Sequence, residues 1–187
     1  MKQIEVEFRA LVTKEKHDSL LSFLHKNGQD LGEDNKDVHF FLYPNKLLKV
    51  VNNISKNNAK LVLKLNKIGN GSDFQEIEIP FNPTDVDKAI QMFKVIGSEE
   101  IQNSYQERHN FMYKGVEFAV KYTKTWGFHV ELEILIRDQN ELKEAEEKIY
   151  SLADELELKI MSDMELQEFT QKIDNDYKKG KYKNLDN

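Results

Sequence analysis

Apolar and charged residues alternate with a period of two along most of this chain. That period marks strands with one buried face and one polar face. It begins at once, with Ile4, Val6, Phe8 and Ala10 interleaved with Glu5, Glu7 and Arg9. The same alternation predicts strands over 37–43, 46–52, 59–66, 74–81, 102–113, 116–123 and 128–136. Turn signals separate them: Pro44-Asn45, the polar stretch 52–58, residues 69–73, Lys114-Gly115 and Trp126-Gly127. Where the period lengthens, helices are expected. Thr13 is placed to cap one whose apolar stripe is Leu20, Leu21 and Leu24 and which Asn27-Gly28 ends. Others are predicted over 85–96, over 141–156 and over 163–177, the last opened by the capping box Ser162 and Glu165.

The order is therefore strand, helix, three strands, then strand, helix, three strands, then two helices. It forms a weak internal repeat, with Glu5-Val6-Glu7 and Glu76-Ile77-Glu78 in corresponding places. Eight antiparallel strands are enough to close a barrel. The pattern thus predicts an α+β protein: a closed eight-stranded antiparallel β-barrel with flanking helices. One domain spans 1–177 and a polar tail spans 178–187. Strand count alone also fits an open sheet with helices on one face.

Side chains two apart share a face. Lys60 and Lys64, Glu76 and Glu78, the set Gln106, Arg108 and Asn110, then Lys121, then His129, Glu131 and Glu133 all stand opposite apolar neighbours. One such face alone is ordinarily a solvated sheet surface. Carboxylates paired at i and i+2 recur three times, however, and like charges so close repel unless water or a cation intervenes. If the apolar faces turn outward under the helices, charges of both signs converge on a lumen. Carboxylate oxygens there suit a hard divalent cation, and Lys and Arg suit phosphate oxygens.

Composition narrows the setting. With 187 residues, 39% hydrophobic and 32% charged, the chain can bury a core and suits a soluble protein. A net charge of −6 argues against a specific nucleic-acid partner. The lack of cysteine rules out disulfides and thiolate metal sites and points to a reducing, cytoplasmic setting. No apolar run approaches membrane-spanning length, so no membrane partner is expected. His129 shares the face of Glu131 and Glu133, His39 and His109 read as structural or exposed, and Trp126 reads as packing beside a turn. The run Glu141, Glu144, Glu146 and Glu147 with Lys143 and Lys148 reads as a solvated helix face.

The polar strand positions carry a resemblance. Glu5-x-Glu7-x-Arg9 resembles the ExExK signature of the CYTH family, named for adenylate cyclase and thiamine triphosphatase and also called triphosphate tunnel metalloenzymes. Further along, Leu48-Lys49-Val50-Val51 resembles its LRIR strand and Leu61-Val62-Leu63-Lys64 its LTLK strand. Glu76-x-Glu78 resembles its mid-chain acidic strand, and Arg108 the arginine of its K-x-R strand. Residues 127–133, Gly-Phe-His-Val-Glu-Leu-Glu, resemble its G-x-F-x-E-x-E strand. The resemblance covers about 1–170 and implies a closed tunnel binding Mg²⁺ or Mn²⁺ and a small-molecule triphosphate or nucleotide.

By that resemblance Glu5, Glu7, Glu131 and Glu133 are metal ligands, and Arg9, Lys49, Lys64 and Arg108 hold phosphate oxygens. Lys64 and Glu78 are the implied catalytic pair, Glu78 orienting a basic residue or a metal-bound water. The pattern departs at four places: Arg9 replaces lysine, Val51 and Gln106 replace cations, and Lys121 stands where an aspartate usually assists the metal. Lys121 is accordingly expected either to contact phosphate or to pair with a neighbouring glutamate. Three activities remain open: a metal-dependent triphosphatase, an adenylate cyclase, and a binding module without catalysis.

Overall fold

In a computed structural model, which describes residues 4–43, 46–65 and 72–182, the opening alternation becomes strand β1 (Ile4–Leu11). Thr13 then caps helix α1 (Lys14–Asn27), its Oγ1 accepting from Lys16 N at 3.2 Å. Gly28 follows in extended backbone, its N–H closing on the Leu24 carbonyl, and a Cβ there would lie 3.0 Å from that oxygen and 3.2 Å from the Met112 carbonyl oxygen, a tight fit that favours glycine.

There follow β2 (Gln29–Glu33), β3 (Lys36–Tyr43), β4 (Lys46–Asn53), β5 (Asn58–Lys64) and β6 (Asp73–Phe81). After α2 (Val86–Val95) come β7 (Glu100–Tyr113), β8 (Val116–Thr123) and β9 (Gly127–Ile136), then α3 (Leu142–Glu155) and α4 (Asp163–Lys178). Lys114 and Gly115 both have positive φ, 48° and 73°, which is the two-residue turn whose twist suits flanking antiparallel strands. The capping box at Ser162 and Glu165 is formed, with Ser162 N donating to Glu165 Oε2 at 2.8 Å. The turn expected at Pro44-Asn45, and residues 69–71 of the one expected over 69–73, fall outside the described residues.

All strand pairs are antiparallel, in the order β2-β7-β3-β4-β5-β6-β1-β9-β8. β1 lies along β9 for its whole length, from Ile4↔Ile136 to Leu11↔His129, but meets β6 only through Ile4, Glu5 and Val6. β7 pairs with β3 through residues 100–106 and with β8 through 107–113. The barrel expected from the alternation is thus present in coarser form, as a curled antiparallel sheet of eight main strands with four helices.

β2 was not expected. Its five residues, Gln-Asp-Leu-Gly-Glu, carry no alternation, and the register shifts between Asp30 and Gly32, where φ is +86°. Pairing with β7 makes it a strand, a tertiary cause that composition does not announce.

The two larger groups of buried apolar positions sit on the helix-covered face. Val6, Ala10, Phe118, Val130 and Leu132 form one core with Leu20 and Leu24 of α1 and Ile149 and Leu152 of α3. A second core joins Phe41, Leu48, Val50 and Ala59 to Val86 and Ile90 of α2. Helices on the apolar face leave the charged face to line the concave side. No helix among the described residues is long and apolar enough to cross a membrane.

Candidate phosphate and metal site

The concave face lines a cavity of about 770 Å³. Period two brings Glu5, Glu7 and Arg9 from β1, Lys49 from β4, Lys64 from β5, Arg108 from β7, Lys121 from β8 and Glu131 and Glu133 from β9 onto one wall system. As many acidic as basic side chains line the cavity, so charge is locally balanced rather than uniformly positive.

Two hubs organise it. At the first, buried Lys64 Nζ reaches Glu76 Oε1 at 2.8 Å, Glu7 Oε2 at 3.2 Å and Glu5 Oε2 at 3.4 Å. Burial alone would release the Lys64 proton, but Glu7, Glu76 and Glu5 hold it on and raise the pKa. Lys49 Nζ stands 3.7 Å from the same Glu76 oxygen, and its pKa falls through burial and the nearness of Lys64.

At the second hub, Glu131 is caged by cations. Arg9 Nε lies 3.2 Å from Oε1, while Arg108 Nη1 at 3.3 Å and Lys121 Nζ at 3.0 Å meet Oε2. Burial opposes its ionisation, yet Lys121, Arg9 and Arg108 outweigh burial and hold Glu131 well below the carboxylate range. Lys121 itself is pushed down to about 8, by burial first and with Arg108 adding to it. Of the two expectations for Lys121, the structure displays the ion pair. Arg9 bridges the hubs, since Nη2 also pairs with Glu7, and its Nη1 is buried without a hydrogen-bond partner.

Glu133 differs from its neighbours. It forms no ion pair among the described residues, and burial together with Glu5 and Glu7 pushes its pKa up to about 8. Glu133 binds more protons folded than unfolded from its ordinary 4.5 up to about 8, so it lowers stability as pH rises through that window. His129 acts oppositely: burial and then Lys121 push it down to about 3 from 6.5, so its effect ends near pH 6.5. Lys36 and Lys121, each lowered from 10.5 to about 8, act only above pH 8. Between pH 6.5 and 8 Glu133 should therefore make the metal-free protein lose stability, with a slope of at most about 1.4 kcal/mol per pH unit from that one proton. Chemical denaturation across that range checks this. Glu133→Gln should flatten the slope, and an unchanged slope would contradict the crowding of Glu133.

The four glutamates expected as metal ligands stand in unlike surroundings. Among the described residues, the only His, Asp or Glu trio whose ligand atoms all lie within 4.8 Å of one another is His25, Asp30 and His109, away from the four glutamates. Arg9 and Lys64 hold Glu7, and the cationic cage occupies Glu131. Glu133 has the least positive charge around it, burial together with Glu5 and Glu7 pushing its pKa up to about 8.

Glu78 is also displaced from its expected place. It lies outside the cavity lining, 42% exposed, and pairs with Lys60, whereas Glu76 takes the inward position against Lys64.

Several lining residues escaped the sequence reading. Asp34, between β2 and β3, binds Lys36 at 2.7 Å, Lys56 at 3.0 Å and Arg108 Nε at 3.3 Å. Gln167, Thr170, Gln171 and Asp174 of α4 also face the cavity. Trp126 both lines the cavity and packs, its ring 5.2 Å from His129 and edge-on to Phe169 of α4 at 5.0 Å. His129 Nδ1 donates to the Gly127 carbonyl at 2.9 Å, which fixes its tautomer. Val38, Val51 and Val62, with Phe40 against them, form an apolar wall of the cavity. Val51, where the family pattern has a cation, belongs to that wall.

The CYTH domain model matches residues 3–166. Among solved structures, a conserved hypothetical protein of Pyrococcus furiosus is 27% identical, covering 83% of this chain and 91% of its own, with a TM-score of 0.70. A proposed adenylate cyclase of Vibrio parahaemolyticus is 19% identical over 91% of this chain and 99% of its own, with a TM-score of 0.68. A proposed adenylyl cyclase of Hippeastrum, described as having a dominant triphosphatase activity, is 16% identical over 84% of this chain and 89% of its own, with a TM-score of 0.60. The latter two likenesses bear on fold alone. No match was found among curated protein sequences.

Proposed function

The chain belongs to the CYTH domain family, and from that premise we propose that its lumen is a closed triphosphate tunnel that binds a triphosphate with Mg²⁺ or Mn²⁺ and hydrolyses it. Closure is supported by the pairing of β7 with both β3 and β8, which joins the two ends of the strand order. The observation that carries the anion site is Arg9. It is a buried guanidinium on the lumen wall with Nη1 left unpartnered, and such a donor is costly unless something accepts from it. A phosphate oxygen would satisfy it.

Glu5, Glu7 and Glu133 would hold the divalent ion, whose chemistry is to neutralise charge on phosphate oxygens. Glu131 would not hold it. That carboxylate instead aligns Arg9, Arg108 and Lys121 as a bank of donors. Glu76 takes the orienting role expected of Glu78, since it holds Lys64 and Lys49 in place. Phosphoryl transfer to water asks mainly for positioning and for stabilised oxygen charge, and these residues supply both. The apolar wall of Val38, Phe40, Val51 and Val62 could also receive an organic group attached to the triphosphate.

The test incubates the full chain with tripolyphosphate, ATP and thiamine triphosphate, each with Mg²⁺ or Mn²⁺, and separates the products by chromatography. Release of orthophosphate is the expected result. A cyclic nucleotide would make the protein a cyclase, and bound but intact substrates would make it a binding module.

Lys121 should matter to affinity, because its Nζ lies on the lumen wall beside Arg108 and Arg9. One charge-assisted contact is worth about 1.5–3 kcal/mol, so Lys121→Ala should weaken triphosphate binding about ten- to a hundredfold at pH 7. Lys121→Asp should weaken it further. Affinity within twofold of the parent after Lys121→Ala, measured by calorimetry, would reduce Lys121 to a partner of Glu131.

A further inference from the structure

A second group of ligating side chains lies outside the lumen. His25 comes from the last turn of α1, Asp30 from β2 and His109 from β7, where it alternates with the inward-facing Arg108 and Asn110. His109 Nε2 donates to Asp30 Oδ1 at 2.6 Å, and His25 Nδ1 stands 3.2 Å from Asp30 Oδ2. All three offer ligand atoms within 4.8 Å of one another.

The rings are held rather than loose. Phe111 stacks on His109 with centroids 4.6 Å apart and an interplanar angle of 14°. It also meets His25 edge-on at 4.8 Å and 87°. Asp30 is fixed as well, because Gly32 N donates to its Oδ1 at 2.7 Å. Metal sites commonly orient their carboxylate ligands through such an outer hydrogen bond.

We propose that His25, Asp30 and His109 form a surface site for Zn²⁺, separate from the lumen in place and in chemistry. Two imidazoles and one carboxylate suit a borderline ion such as Zn²⁺ and are a poor match for Mg²⁺. Around tetrahedral zinc, with bonds of about 2.0–2.2 Å, neighbouring donors stand roughly 3.3–3.5 Å apart. The His25–Asp30 separation of 3.2 Å is already near that spacing, while the His109–Asp30 separation of 2.6 Å must open by roughly 0.7–0.9 Å, as the Nε2 proton gives way to the ion. Three protein ligands leave a fourth position to water. The bound ion ties α1 to β2 and to β7, at the one strand whose own sequence has little tendency to be a strand.

The experiment titrates the metal-stripped full chain with Zn²⁺ in excess Mg²⁺, with heat as the readout, and repeats the titration with Co²⁺ while following visible absorption. One saturable Zn²⁺ per chain is expected, with Co²⁺ giving the strong bands of a four-coordinate ion. His25→Ala with His109→Ala should weaken Zn²⁺ binding at least about a hundredfold, and Asp30→Asn at least about tenfold. If the alanine pair does not give a cooperative thermal transition, His25→Gln with His109→Gln replaces it. Zn²⁺ affinity within threefold of the parent in the folded double variant overturns the proposal. So does the absence of saturable binding, or binding lost instead in Glu5→Gln with Glu133→Gln, which would place the ion in the lumen.

Discussion

Lys64→Ala should destabilise the metal-free protein by about 3–5 kcal/mol, the usual result of removing one partner from a buried charge cluster. Lys64 is 4% exposed and stands within 3.4 Å of carboxylate oxygens from Glu5, Glu7 and Glu76. Without its ammonium those three negative charges face one another in a poorly solvated lumen, with Arg9 and Lys49 left to offset them. The raised pKa of Lys64 keeps its contribution fully present at pH 7, and it is lost only as pH rises beyond the ordinary lysine range. Equilibrium denaturation measures the loss. A change under about 1 kcal/mol would mean that the carboxylates take up protons or water without strain, and the hub would then be incidental.

Glu5→Gln combined with Glu133→Gln should have two large effects of opposite sign. Binding of Mg²⁺ or Mn²⁺ in the presence of a triphosphate should fall by more than about a hundredfold, since two of three oxygen donors lose their charge. Stability of the metal-free protein at pH 8 should rise, because the crowding that pushes Glu133 up to about 8 disappears. Glu131→Gln is the contrasting variant. It should leave metal affinity nearly unchanged while loosening Arg9, Arg108 and Lys121. If Glu131→Gln abolished metal binding and the double variant did not, the assignment of ligands would be reversed.

Much of this was legible in the sequence. Alternation fixes which face a side chain takes, and so Glu5, Glu7, Arg9, Lys64, Arg108, Lys121, Glu131 and Glu133 fall on one polar face that lines the cavity, where Lys49, implied by the family resemblance, joins them. Period two does not fix depth or partner. Glu76 and Glu78 share a face, yet one pairs with buried Lys64 and the other with Lys60 at the exposed rim. Nor does it tell a cation-bound carboxylate from one free for a metal, which is why Glu131 and Glu133 read alike and differ in the structure.

Asp34 was missed because it lies between strands, outside any periodic run, and the polar face of α4 because polar helix faces ordinarily meet solvent. The pair Val51 and Gln106 read as lost cations. Val51 joins an apolar wall, a role that needs its neighbours Val38 and Val62 to be recognised. His25, Asp30 and His109 could not be grouped from sequence, since the fold alone brings an α1 turn, β2 and β7 together.

The most direct measurement is a calorimetric titration of the full chain with tripolyphosphate in Mg²⁺, repeated on Arg9→Ala with Arg108→Ala. The account predicts one saturable site per chain, weakened at least about a hundredfold in the double variant as two charge-assisted donors are lost. Tripolyphosphate that fails to bind the parent, or that binds the folded double variant equally well, would contradict a triphosphate site in the lumen.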